Sequence, residues 1–136
     1  MVNAIFTRGE MERSLSQSVQ AFYRNQLGCR PEKVSCHILN EQVAIAIKNP
    51  ITPLENLLNS SSDDRYVRDL RDRIDAIIKQ DLIDLIEKTL EVGVIAMTID
   101  TTIDNNLTGI VGLLSQKPVT REVKRKESKP KINRNI

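Results

Sequence analysis

The chain reads as a two-layer α+β domain, with a four-stranded antiparallel sheet built from two β-hairpins. An N-terminal helix, a short helix and one long helix are expected to pack on one face of that sheet. Three observations point there. Two pairs of apolar runs alternate with period two around short polar turns. Thr7-Arg8-Gly9-Glu10 and Thr52-Pro53-Leu54-Glu55 have the spacing of capping boxes and announce helix starts. Between them and the second hairpin, one apolar stripe continues at helical spacing from Val67 to Thr89.

The first helix is placed by its box. The Thr7 hydroxyl suits the amide three residues on, and Glu10 suits the Thr7 amide. Met11, Leu15, Val19 and Phe22 then fall on one face. Gly28 suits the left-handed residue past the helix end, and Pro31 cannot continue it. The first hairpin follows: Val34, Cys36 and Ile38 alternate in one strand, Val43, Ile45 and Ile47 in the next, around Asn40-Glu41. That turn lacks the glycine of the strongest two-residue signal, so the sequence specifies its register weakly.

Thr52 is a good N-cap, Pro53 occupies the first helical position where its missing N–H costs nothing, and Glu55 completes the box. A short helix to about Leu58 is expected, read as structural punctuation and not as a binding motif. The "NSSSDD" loop follows, with Ser61 and Asp64 again in capping-box spacing. The long helix then carries Val67, Leu70, Ile74, Ile77, Ile78, Leu82, Leu85, Ile86 and Thr89 on one stripe. Its other faces alternate in charge at i,i+4, with Asp69 and Arg73 or Arg71 and Asp75 as examples. Such pairs are each worth about 0.2–0.5 kcal/mol and suit a solvated surface. A helix of this length, about 40 Å, overhangs a four-stranded sheet, and a second copy of the chain is the cheapest cover for the excess. A homodimer is therefore expected.

"EVGVIAMTID" and "LTGIVGLL" around Asp104-Asn105-Asn106 form the second hairpin. Gly93, Gly109 and Gly112 weaken these strands and mark bulges or close backbone packing. Residues 1–116 thus make a single domain, and 117–136 read as a basic, disordered extension. The extension holds eight Lys or Arg against two Glu, a net of +6, whereas the rest is −4.

Composition excludes several function classes. The chain has no Trp, two Phe and two Tyr, so the core is aliphatic and no aromatic platform for stacking bases exists. Its two cysteines, Cys29 and Cys36, do not complete a zinc site and are expected as reduced thiols in a cytoplasmic protein. No signal-peptide h-region opens the chain, and the longest uncharged apolar run, Val92 to Ile99, is strand-sized. Gly-rich phosphate loops are absent. His37 is the single histidine, and its neighbour Cys36 points to the opposite face of a strand, so the two cannot share a proton. Cys29 lies beside Arg30, where a depressed thiol pKa is conceivable, although an ordinary thiol is the better reading. Catalytic, metal and cofactor sites are therefore expected to be none. The one loud electrostatic feature is the tail: Arg121, Lys124, Arg125, Lys126, Lys129 and Lys131 are the candidate contacts to a polyanion. Nucleic acid, an anionic membrane leaflet or an acidic protein surface would each serve, as would a solubilising role with no specific partner.

Four segments carry a resemblance. Gly28-Cys29-Arg30-Pro31-Glu32-Lys33-Val34, Ile51-Thr52-Pro53-Leu54-Glu55, Val67-Arg68-Asp69-Leu70-Arg71, and Ile86-Glu87 followed by Val94 through Asp100 resemble the MpsC-like family over about residues 9–114. That family was formerly described as a domain of unknown function. Its namesake is tied to a Na+-translocating, membrane-potential-generating system linked to bicarbonate supply. The chain departs from the pattern at Leu90, where a Gly near the end of the long helix is expected, and at Cys29, which replaces a polar or basic residue. The tail lies outside the resemblance. The resemblance implies a non-enzymatic cytosolic accessory or regulatory protein that acts through protein–protein contacts with a membrane ion or bicarbonate transport system. A nucleic-acid-associated regulator using the basic tail is the alternative.

Overall fold

The computed structural model describes residues 6–61 and 64–121, the side chains of residues 61 and 64 excepted. The expected Ser61–Asp64 capping pair and the tail beyond Arg121 therefore lie outside the described residues. Helix α1 (Arg8–Leu27) leads into strands β1 (Lys33–Leu39) and β2 (Gln42–Lys48). Helices α2 (Pro53–Ser61) and α3 (Asp64–Leu90) follow, then β3 (Val94–Thr102) and β4 (Leu107–Leu114). The sheet is antiparallel throughout, in the order β1-β2-β4-β3. The α+β class and the two hairpins are as the sequence predicts.

The α1 capping box forms in full: Thr7 Oγ1 accepts the Glu10 N–H at 3.1 Å, and the Glu10 carboxylate accepts the Thr7 N–H at 2.9 Å. Gly28, at φ +68°, ends the helix as expected, its N–H donating to the Arg24 carbonyl at 3.2 Å. One expectation shifts. The buried face of α1 is Met11, Leu15, Val19 and Tyr23, with Phe22 only half-buried. Three successive steps of four residues from Met11 point Tyr23, not Phe22, at the core.

Both hairpins turn through asparagine at positive φ, Asn40 at 54° and Asn106 at 50°. Asn tolerates this region better than other non-Gly residues, which supplies what the missing glycine would have. Leu39 pairs with Gln42, so Asn40-Glu41 is a true two-residue turn. The bulge in β3 falls at Ile95, between Val94 and Ala96, and not at a glycine. Gly112 marks close packing instead, since a Cβ there would stand 3.0 Å from Val43 Cγ1.

The core lies between the helices and one face of the sheet. Val43, Ile45 and Ile47 of β2, Ile110 and Leu114 of β4, and Leu15 and Val19 of α1 are all buried there. From α3 come Ile78, Leu82, Ile86 and Leu90. Helix α1 is pinned to edge strand β1 by Glu12, whose Oε2 accepts the Ile38 N–H at 2.7 Å. Glu87 Oε2 likewise accepts the Val94 N–H at 2.8 Å, tying α3 to β3.

The stripe on α3 differs from its periodic reading at two places. Ile77 is 75% exposed, whereas Arg71 and Asp75 are buried. The inward set is Val67, Arg71, Asp75, Ile78, Leu82, Ile86 and Leu90, so the first two turns of the buried face end in charges. Asp69 and Arg73 pair at 3.1 Å in solvent as expected. Arg71 and Asp75 pair too, but inside the protein and not on a solvated face. Helix α2 covers this N-terminal part of α3, so much of the helix's excess length finds its partner within the chain.

Candidate functional site

Where α2, α3 and the β3–β4 hairpin meet lies a largely buried polar cluster. Thr52 caps α2, with the Glu55 N–H donating to its Oγ1 at 3.2 Å. Glu55 Oε1 in return accepts both the Thr52 N–H and the Thr52 hydroxyl, each at 2.9 Å. The capping box is thus real, as its spacing predicts, but it is also half of something larger. Arg71 reaches Glu55 with both prongs of its guanidinium, Nε donating to Oε2 at 2.8 Å and Nη2 to Oε1. Nη2 also donates to the Pro50 carbonyl at 2.9 Å, and Nη1 to Asp75 Oδ1 at 3.2 Å.

From Asp75 the network passes into the sheet. The Thr101 hydroxyl donates to Asp75 Oδ2 at 2.8 Å and lies 2.6 Å from the Thr108 hydroxyl. Because Thr101 spends its proton on Asp75, Thr108 must be the donor of the second bond. Glu55 is 0% exposed, Arg71 1% and Asp75 5%. Charges this deep are tolerated only when paired and hydrogen-bonded.

The electrostatics are unequal. Burial works against the Arg71 charge, but the hydrogen bond and charge of Glu55, followed by Asp75, hold its pKa above the usual value. At Asp75 burial wins and raises the carboxyl above its ordinary range, against the pull of Thr101 and Arg71. Two carboxylates and one guanidinium leave a surplus negative charge, and Asp75 is where that surplus is least stable. The Tyr23 hydroxyl is buried without a hydrogen-bond partner among the described residues. Burial, then the nearby Asp75 charge, pushes its pKa well up, so it stays a neutral phenol.

This arrangement is a clasp. Glu55 accepts four hydrogen bonds, three on Oε1 and one on Oε2, and is fully buried, so it presents no surface to a substrate. Arg71 and Asp75 border shallow open grooves of about 390 Å³ and 310 Å³, lined also by Arg68, Asp72, Asp100 and Thr98. Among the described residues no group of three or more His, Cys, Asp or Glu is placed to hold a metal.

The clasp turns α2 inside out. Its carboxylate faces inward while Leu54 and Leu57 are 54% and 65% exposed. Tyr66, at the start of α3, is exposed close by in sequence. A short helix with leucines outward and a saturated ion pair inward presents an apolar surface on a rigid base.

Of the tail residues singled out from sequence, only Arg121 falls within the described chain. Its N–H donates to the Phe6 carbonyl at 2.6 Å, and its guanidinium stands 3.7 Å from Glu10. Lys124, Arg125, Lys126, Lys129 and Lys131 lie outside the described residues. Cys36 is buried while His37 is exposed on the opposite face of β1, as strand alternation requires. Burial pushes the Cys36 thiol up to about 11. At Cys29 burial raises the pKa, overriding a weaker pull from Arg71, so the thiol is not activated.

The clasp residues were in view without being joined. Thr52, Glu55 and Arg71 all sit in the quoted segments, and spacing of 67, 71, 75, 78 and 82 is a helical face. What spacing could not show is that Glu55 arrives opposite Arg71.

A family model described as "Na+-translocating membrane potential-generating system (MpsC)" matches residues 7–116. No curated protein and no solved structure matches the chain.

Proposed function

Since the chain belongs to the MpsC family, we propose that it is a non-enzymatic cytoplasmic accessory protein of a Na+-translocating membrane complex, acting by protein contact through the outward face of α2. The observation that carries this reading is the inverted polarity of α2, with Glu55 buried and Leu54 and Leu57 exposed. Burying two leucines against a partner is worth about 1.5–3 kcal/mol each, enough to anchor a contact when the helix beneath is already ordered. No described helix is long and apolar enough to cross a membrane, so the reading assigns translocation itself to other subunits. The clasp supports the reading by spending its charges on architecture. Bicarbonate supply is the form of transport that the family resemblance implies for the system served.

The test is capture from detergent-solubilised membranes of the source cells by the tagged full chain. Wild type is expected to retain polypeptides of an ion-transport complex, and Leu54→Asp with Leu57→Asp to lose them while keeping the wild-type circular dichroism. Equal recovery by both proteins would remove α2 from the mechanism. Recovery of nucleic acid alone, in a steeply salt-dependent way and lost on deleting residues 122–136, would favour the tail-based alternative.

A further inference from the structure

The face of the sheet away from the helices is an apolar surface that the proposed function does not use. Leu39, Leu107, Val111 and Leu113 all stand on it, 38–63% exposed. Among them lie the small residues Ala44, Ala46 and Gly109, all exposed, with Gln42 between Leu39 and Leu113. The register arranges these in rows across the strands. Leu39, Gln42, Leu113 and Ala96 make one row, and His37, Ala44, Val111 and Thr98 the next. Ser35, Ala46, Gly109 and Asp100 make the third.

We propose that a second copy of this chain covers that face, the two sheets stacking about a two-fold axis that runs parallel to the strands between β2 and β4. Such an axis lays β2 on β4 and β1 on β3 of the other copy, row upon row. Val111 then meets Ala44 and Leu39 meets Ala96, while Leu113 meets Gln42 and Leu107 meets Lys48. Charge supports the same axis. The β1–β2 half of the face carries Lys33 and Lys48, and the β3–β4 half carries Asp100. The axis brings each lysine-bearing half over the other copy's Asp100. A two-fold axis across the strands would lay each strand on its own copy and leave the lysines away from Asp100. The basic tail fits the face less well, because it would find one carboxylate and an apolar surface.

Size sets the strength. Four strands about 4.8 Å apart and seven residues long at about 3.3 Å per residue give roughly 450 Å² in plan. A standard stable interface buries about 800 Å² per partner. The dimer is therefore weak, with dissociation in the micromolar range, and it forms where local concentration is high, as on a membrane complex that binds the chain in more than one copy.

The experiment is sedimentation equilibrium of the reduced full chain from about 5 to 500 µM, a span that covers micromolar dissociation constants. Wild type is expected to pass from monomer to dimer. Val111→Lys should weaken association by about tenfold or more, as burying an unpaired charge requires, with an unchanged thermal melt. Asp100→Lys should weaken it too, and adding Lys33→Asp and Lys48→Asp should restore it, which nonspecific stickiness could not do. Leu57→Lys on α2 should leave it unchanged. A wild type monomeric throughout, a dimer indifferent to Val111→Lys, or one lost only with Leu57→Lys would each overturn the proposal. So would faster thiol labelling of a Val111→Cys variant after residues 122–136 are deleted, which would make the tail the occupant. None of these outcomes depends on the α2 capture experiment, so the two readings stand or fall apart.

Discussion

Arginine at position 71 is irreplaceable by lysine at equal cost, because its planar fork meets both oxygens of Glu55 while its remaining donors serve Pro50 and Asp75. Arg71→Ala leaves two carboxylates buried without their cation, and removal of one partner from such a group costs about 3–5 kcal/mol. Urea unfolding should show a loss of that order for Arg71→Ala, with Arg71→Lys recovering only part of it. Asp75 gives a prediction of opposite sense. Its carboxyl pKa is raised in the folded protein, chiefly by burial, so the folded state holds that proton more tightly than the unfolded chain does. Stability from this group is present below the ordinary carboxylate pKa near 4 and is lost as pH rises through the raised value. Asp75→Asn removes the titration and the surplus charge while keeping an acceptor for Arg71 and a donor for Thr101. In unfolding measured across this pH range, the variant should gain on wild type as pH increases. A constant difference would mean Asp75 carries no raised pKa.

The helices show how far local signals reach. The ends of α1 were legible because caps are chosen within one turn: Thr7, Glu10 and Gly28 act on backbone groups no more than four residues away. The end of α3 was legible as an irregularity. The resemblance expected a glycine near there, and the structure places Glu91 at φ +58°, its N–H donating to the Glu87 carbonyl at 2.8 Å. A left-handed residue with a Cβ costs about 1 kcal/mol relative to glycine. Glu91→Gly should therefore stabilise the protein by roughly that amount, read as a shift in the thermal midpoint. Helix α2 was foreseen in place, from its cap and proline, but not in polarity. Its leucines and its carboxylate alternate in a way that suits either face inward, and the choice was made by Arg71 on another helix.

Across the whole molecule, the pairing of β2 with β4 closes the fold, joining Gln42 to Leu113 over both intervening helices. These two strands have neighbours on each side, whereas α2 is held to the rest by the clasp. Amide hydrogen exchange should thus be slowest in β2 and β4 and fastest, among the helices, in α2. Glu55→Gln should accelerate exchange in α2 well before it affects the central strands, and uniform acceleration would mean the clasp supports the entire domain. By itself the amino-acid sequence determined the elements, their order and most of their ends, since periodicity and capping depend on residues within a turn or two of each other. It also carried the family likeness. Only the tertiary structure decided that β4, not β3, lies beside β2, and that one i,i+4 ion pair of several on α3 is interior. Those outcomes depend on groups far apart in the chain meeting in space, and at Arg71 the decisive neighbour is a carboxylate brought in by a separate helix.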